Sequence, residues 1–249
     1  MIDIQKLRVN YADRNVISDF SVTAQSGQLI ILLGPNGCGK STLLKAITGI
    51  IAPMSGQIKW QDRELSTLKL REKARQIAYL SQDRQTAPGL SVRSAVELGR
   101  VPYRGVLGRI SPDGHKAIDQ ALEKTQTSML ADRPLSELSG GEQARVLLAR
   151  LLAVDAPLLL ADEPIVALDP FYQVSLMEVL KAEAMNGKLV ICALHDLALA
   201  HQYADSLWLM KDGALVATGR PEVCLNEENL KQVFGIKPPQ QGFASLRLS

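Results

Sequence analysis

Gln28-Leu29-Ile30-Ile31-Leu32-Leu33 runs directly into Gly34-Pro35-Asn36-Gly37-Cys38-Gly39-Lys40-Ser41-Thr42. The first stretch is an apolar run, the pattern of a strand buried on both faces. The second fits the phosphate-loop pattern in full, and Lys40 to Thr48 reads as a helix ended near Gly49. Strand, glycine-rich loop and helix are the context this pattern requires. Its glycines allow a tight turn whose N–H groups converge on phosphate oxygens. Lys40 supplies a point charge for the β and γ phosphates, and the Ser41 hydroxyl can ligate Mg²⁺. Cys38 reads as a small residue filling the loop, with a redox role as the alternative.

On the N-terminal side, Ile2 to Val9 and Val16 to Ala24 read as strands. Beyond the loop, Gln57 to Gln61 and Gln76 to Leu80 are further short strands. The character changes from about Arg84 to Glu137. Ser91 to Gly99 and Asp113 to Ser128 have helical spacing, with a Gly/Pro-rich loop, Val101 to Arg109, between them. This reads as a helical insertion that shares a core surface with the rest. Leu158 to Ala161 and Lys188 to Leu194 are buried strands, and Phe171 to Ala184 and Leu197 to Tyr203 are helices. Ser206 to Met210 and Ala214 to Thr218 flank Lys211-Asp212-Gly213, a hairpin signal. Strands alternating with helices imply a parallel sheet with its ligand at the strand C-terminal ends.

Leu138-Ser139-Gly140-Gly141-Glu142-Gln143 lies about a hundred residues past the phosphate loop. Ser139 can cap a helix, with Glu142 at the spacing of a reciprocal capping box. The glycines leave N–H groups bare at a helix start, which attracts anions; a capped helix and nothing more is the plainer alternative. Asp162 and Glu163 end the dry run Leu158 to Ala161, where a buried charge needs a purpose. Asp162 sits where a Mg²⁺-organising carboxylate belongs, and Glu163 can orient or deprotonate an attacking water. An exposed acidic pair opening a turn before Pro164 is the alternative. His195 and Gln82 also end strands, with structural and turn roles as alternatives. Tyr11 reads as an exposed loop aromatic, either a base-stacking platform or a packing residue.

The chain has 249 residues, a formal net charge of +2 and 46% hydrophobic residues, enough for a large core. Near-neutrality gives no electrostatic case for nucleic acid or an anionic membrane surface as a partner, and no nucleic acid is expected. Cys38, Cys192 and Cys224 are too few and too spread for a disulfide framework or zinc site. No leader pattern opens the sequence, and no apolar run is long enough to span a bilayer. A membrane role must therefore come through a partner.

The order of these motifs resembles the ATP-binding subunit of ABC (ATP-binding cassette) transporters, from about Ile2 to Phe234. In that resemblance Gly34 to Thr42 is the Walker A loop, Gln82 the Q-loop glutamine and Leu138 to Gln143 the signature. Leu158 to Pro164 is Walker B, with Glu163 as catalytic carboxylate. Ala167-Leu168-Asp169 is the D-loop, His195 the switch histidine and Tyr11 the adenine-stacking aromatic. Val166 departs from the small polar residue usual before the D-loop.

The resemblance implies an α/β P-loop NTPase fold of the ABC-ATPase kind. It has a mostly parallel core sheet, an N-terminal antiparallel β subdomain and an inserted helical subdomain. Residues 1–83 and 140–235 would form the core of this single domain, 84–139 the helical subdomain and 236–249 a short tail. ATP and Mg²⁺ are the implied cofactors, the metal held by Ser41, Gln82 and Asp162. Two chains would face head to tail, with Ser139, Gly140, Gly141 and Glu142 of one acting on the ATP of the other. Two membrane permease subunits and a periplasmic or extracellular substrate-binding protein are the further partners, which places the chain on the cytoplasmic face of the membrane. Val96 to Tyr103, with Gly108-Arg109, is similar to the importer branch serving iron-siderophores, haem and cobalamin. The loops Gln82 to Leu90 and Val101 to Gly108 are expected to dock a permease helix. A soluble cassette ATPase serving as an assembly factor, as in iron–sulfur cluster assembly, is the alternative.

Overall fold

The computed structural model describes residues 1–11, 14–83, 89–105, 108–166 and 168–237. The chain opens with strands β1 (Ile2–Tyr11) and β2 (Arg14–Ala24), then β3 (Leu29–Leu33), the phosphate loop and helix α1 (Lys40–Thr48). Strands β4 (Ser55–Trp60) and β5 (Arg63–Glu64) follow, then α2 (Leu70–Gln76) and β6 (Ile77–Leu80). The insertion supplies α3 (Val92–Glu97), a 3₁₀ turn over Leu98–Tyr103, and α4 (Pro112–Lys124). Next come α5 (Gly140–Ala153), β7 (Leu158–Asp162), α6 (Pro170–Met185), β8 (Leu189–Ala193) and α7 (Leu197–Tyr203). The hairpin β9 (Ser206–Lys211) and β10 (Ala214–Gly219) precedes α8 (Pro221–Cys224) and α9 (Glu227–Phe234).

Among the described residues these strands form two sheets. One is antiparallel, in the order β2-β1-β4-β5, and the other runs β10-β9-β3-β8-β7-β6. In the larger sheet every neighbouring pair is parallel except β9 with β10. The central strands β3, β7 and β8 are buried at every position, as their unbroken apolar runs require.

Side-chain alternation divides those strands between two cores. Leu29, Ile31, Leu33, Leu159, Ala161, Val190 and Cys192 face the layer containing α3 to α7. Ile30, Leu32, Leu158, Leu160, Leu189 and Ile191 face α1 and the antiparallel sheet. The period of two then carries Asp162 onto the same face as Leu158 and Leu160, which is the α1 side.

Three local readings need correction. Tyr11 lies at the end of β1, paired in register with Arg14, not in a loop. The helix read over Asp113 to Ser128 stops at Lys124. Gln126 takes a left-handed φ of 54° there, and the Thr125 and Thr127 hydroxyls donate to the Ala121 and Leu122 carbonyls at 3.0 and 3.3 Å. Part of the Val101–Arg109 loop is a 3₁₀ turn, with Pro102 inside it; residues 106–107 lie outside the described set. Helix α2 carried no periodic signal because none of its residues is buried.

Candidate active site

A pocket of about 410 Å³ opens at the C-terminal end of the parallel sheet. Val16, Asn36, Gly37, Gly39, Lys40, Ser41, Thr42, Gln82, Glu163 and His195 line it. The phosphate loop forms its floor. Gly39 has φ 105° and caps α1, so its backbone is one that side chains resist. A Cβ on Gly34 would collide with the Met210 carbonyl and lie 2.6 Å from the Cys38 sulfur. The Gly213 N–H donates to the Cys38 carbonyl at 3.1 Å, so the β9–β10 turn braces the loop from behind. Cys38 is buried, and burial pushes its thiol pKa up. That fits the small-residue reading and opposes a reactive thiolate.

Lys40 is 5% exposed, and its ammonium donates to the Gly34 and Pro35 carbonyls at 2.8 and 3.3 Å. A buried cation held, among the described residues, by neutral oxygens is matched to an anion arriving in the loop.

The three strand ends that carry Gln82, Glu163 and His195 are neighbours, because the sheet order places β7 between β8 and β6. Glu163 leaves the strand with φ 51°, and its N–H donates to the Ala193 carbonyl at 3.1 Å. A left-handed glutamate costs about 1–3 kcal/mol and persists only where its surroundings impose it. Here it directs the carboxylate between two partners. The Gln82 amide nitrogen donates to Glu163 Oε2 at 2.8 Å, and His195 Nε2 contacts Glu163 Oε1.

Asp162 stays in the strand and is 1% exposed. The Tyr79 phenol donates to Oδ2 at 3.3 Å, while Oδ1 is buried with no hydrogen-bond partner. Burial pushes its carboxyl above the usual range, against the opposing pull of Ser41 and Tyr79; Glu163 adds to the rise. A buried carboxylate oxygen without a donor fits a cation. Ser41 lines the pocket beside it, and Gln82 keeps its amide oxygen as an acceptor. The proposed Mg²⁺ donor set is therefore chemically consistent with the site.

The structure does not bring every sequence-derived residue together. Ser139, Gly140, Gly141 and Glu142 do not line the pocket. They form the start of α5 with a complete capping box. Glu142 Oε2 accepts from the Ser139 N–H at 2.8 Å and from its hydroxyl at 2.9 Å, which lowers the Glu142 pKa. Asp169 likewise caps α6, accepting from the Tyr172 N–H at 3.1 Å. Tyr11 is 61% exposed and outside the pocket lining. Val166 is exposed, and residue 167 of the D-loop lies outside the described set. Sequence reasoning missed Val16, which lines the pocket from β2 without any local signal, and Tyr79, whose phenol reaches Asp162 only once β6 and β7 are paired.

A phosphate loop feeding a parallel sheet, with carboxylates at the neighbouring strand end, defines a nucleotide-hydrolysing P-loop domain. The ABC transporter family pattern matches residues 17–166. The chain belongs to the ABC transporter family as its ATP-hydrolysing cassette. It is 35% identical to the achromobactin transport ATP-binding protein CbrD of Dickeya dadantii, over 94% of this chain and 88% of that one. It is 38% identical to the hemin import ATP-binding protein HmuV of Rhodococcus jostii, over 92% of this chain and 78% of that one. Among solved structures, a dimeric bacterial ABC transporter cassette superposes with a TM-score of 0.79 at 27% identity, covering 89% of this chain and 99% of the other.

Proposed function

We propose that this chain powers import of an iron-siderophore, haem or cobalamin type of cargo through a separate membrane permease. In this reading two copies sandwich two ATP molecules. Relatives named for achromobactin transport and hemin import support the cargo class, and a dimeric cassette of the same fold supports the pair. They also favour transport over the assembly-factor alternative. Among the described residues no helix is long and apolar enough to cross a membrane. Attachment to the membrane's cytoplasmic face therefore runs through the permease, and a periplasmic or extracellular binding protein would deliver cargo to it.

The observation that carries the chemistry is Glu163 held between Gln82 and His195 at the mouth of the phosphate-loop pocket. Glu163 is the general base that takes a proton from the attacking water. His195 orients that carboxylate. Gly34, Pro35, Asn36, Gly37, Cys38, Gly39, Lys40, Ser41 and Thr42 bind the phosphates, with Lys40 as the charge on the β/γ pair. Ser41, Asp162 and Gln82 would hold Mg²⁺, which when bound would neutralise phosphate charge. Tyr11 is assigned to adenine by resemblance. The Ser139 helix end serves the partner chain's γ-phosphate, an assignment supported by its capped, anion-attracting geometry away from the chain's own pocket.

Glu163→Gln tests the site and the pair together. The variant should bind ATP, hydrolyse it slowly, and run as a dimer on gel filtration with ATP and Mg²⁺. A variant turning over at the wild-type rate would remove Glu163 as the base. The transport reading is tested by fractionation, where the chain should co-purify with membranes and a polytopic partner. Charge reversal at Arg84, outside the described residues, and Arg104 should impair that assembly.

A further inference from the structure

Arg145 and Tyr172 have no role in the scheme above. Arg145 lies on α5, one turn past Glu142, and Tyr172 lies in the first turn of α6. The Arg145 guanidinium carbon sits 4.2 Å from the Tyr172 ring centroid. Its Nη1 donates to the Gln126 and Thr125 carbonyls at 2.9 and 3.4 Å, just past α4, which sets the plane of the fork. Nε is buried with no hydrogen-bond partner. Tyr172 is fixed on its other side. Its N–H donates to the Asp169 carboxylate at 3.1 Å, and its ring packs edge-on against Phe171 at 5.2 Å.

These contacts make one continuous path. Ser139 and Glu142 close the capping box, Arg145 follows on the next turn, its cation lies over Tyr172, and the Tyr172 backbone is held by Asp169. Two helix starts from distant parts of the sequence are thereby tied through a half-buried cation–π contact, stronger than an exposed one because the cation is partly desolvated. A lysine would not reproduce the planar fork that both stacks and reaches the carbonyls.

We infer that Arg145 and Tyr172 are positioning residues that hold Ser139 and Asp169 of one chain in fixed relation. The chain then offers both to its partner's nucleotide as a single surface. The inference rests on the two-chain reading proposed above. It requires that losing the contact harm the partner's ATP site and not the chain's own.

Mixed dimers with one competent phosphate loop separate these cases. In the first pairing, a Lys40→Ala chain meets a Tyr172→Leu chain, so the competent loop faces an unaltered signature. In the second, one chain carries both substitutions beside a wild-type partner, so the competent loop faces the altered surface. ATP turnover in the second pairing should fall roughly five- to thirtyfold relative to the first, the range a lost cation–π contact of this kind supports. Arg145→Gln should give the same asymmetry and decides the matter should Tyr172→Leu not fold. Tyr172→Phe, which keeps the ring, should restore the second pairing to within about twofold. Equal losses in both pairings, a loss confined to the first, or no loss in either overturns the inference. A Glu163→Gln chain that stays monomeric with ATP and Mg²⁺ removes the two-chain reading itself, and this inference with it.

Discussion

At the residue scale, Glu163 shows how backbone and side chain divide the labour. Its left-handed φ takes the chain off the strand path, and its carboxylate meets Gln82 and His195 while that of Asp162 meets Tyr79, so adjacent acids face different tasks. Glu163→Gln keeps the shape and removes the base; single-turnover phosphate release should slow by at least about 100-fold while nucleotide binding persists. Lys40→Ala removes the buried ammonium, and equilibrium binding should show ATP affinity weakened by roughly tenfold or more. The acidic pair after a dry strand was legible in the sequence because buried charge at a strand end demands an explanation. That Gln82 and His195 also end strands was legible, but their direct contacts with Glu163 were not, because these residues are separated by long stretches of chain and meet only through the strand order β8-β7-β6.

At the scale of elements, α5 is held at both ends. Its start is the capping box, and Ser139→Ala should lower stability by about 1 kcal/mol, a fall in Tm of roughly 2–4 °C for a chain of this size. Its end is held by the insertion. Arg100 Nη1 donates to the Ala153 and Val154 carbonyls at 2.8 and 3.1 Å, and its guanidinium lies 4.0 Å from the Tyr103 centroid. Gly99 lets the backbones approach, since a Cβ there would lie 2.6 Å from the Arg150 carbonyl oxygen. Arg75 of α2 covers Tyr103 at 5.1 Å and donates to the Pro102 carbonyl at 2.9 Å. The Val96–Tyr103 stretch, read from sequence as a mark of kinship, is therefore also a mechanical joint. Arg100→Met should destabilise the fold by about 1–3 kcal/mol, and Arg100→Lys should recover only part because it lacks the planar fork; chemical denaturation measures both. The Ser139 cap was readable because capping is local chemistry, and Ser91, Ser111, Asp196 and Asn226 are found capping helices in the same way. Helix α2 was not, because it buries nothing and leaves no apolar period.

At the scale of the whole molecule, one buried carboxylate joins three regions. Glu183 on α6 is 2% exposed, ion-paired to Lys124 at the end of α4 and to Lys188 before β8 at 2.8 Å. Lys188 also reaches Asp155 at 2.9 Å. Burial alone would raise the Glu183 pKa, but the two lysines outweigh it and the net shift is downward. A depressed carboxylate stabilises the fold above its unfolded value, and that stability is lost as pH falls through the folded value. Tm should therefore drop on acidification through the carboxylate range, and Glu183→Gln should flatten that part of the profile. The substitution should also cost about 1–3 kcal/mol at neutral pH, since it removes two charge-assisted contacts while Lys124 stays partly solvated and Lys188 keeps Asp155. By itself the sequence determined the phosphate loop in its strand-to-helix setting, the capped helix starts and the doubly buried strands. Each of these is fixed by backbone sterics, capping or side-chain period within a few residues. Only the tertiary structure decided which strand ends are neighbours, where the Ser139 helix lies relative to the pocket, and how Arg145 meets Tyr172. Those arrangements depend on crossovers between distant strands and on helices packing across one shared core, and no local pattern encodes them.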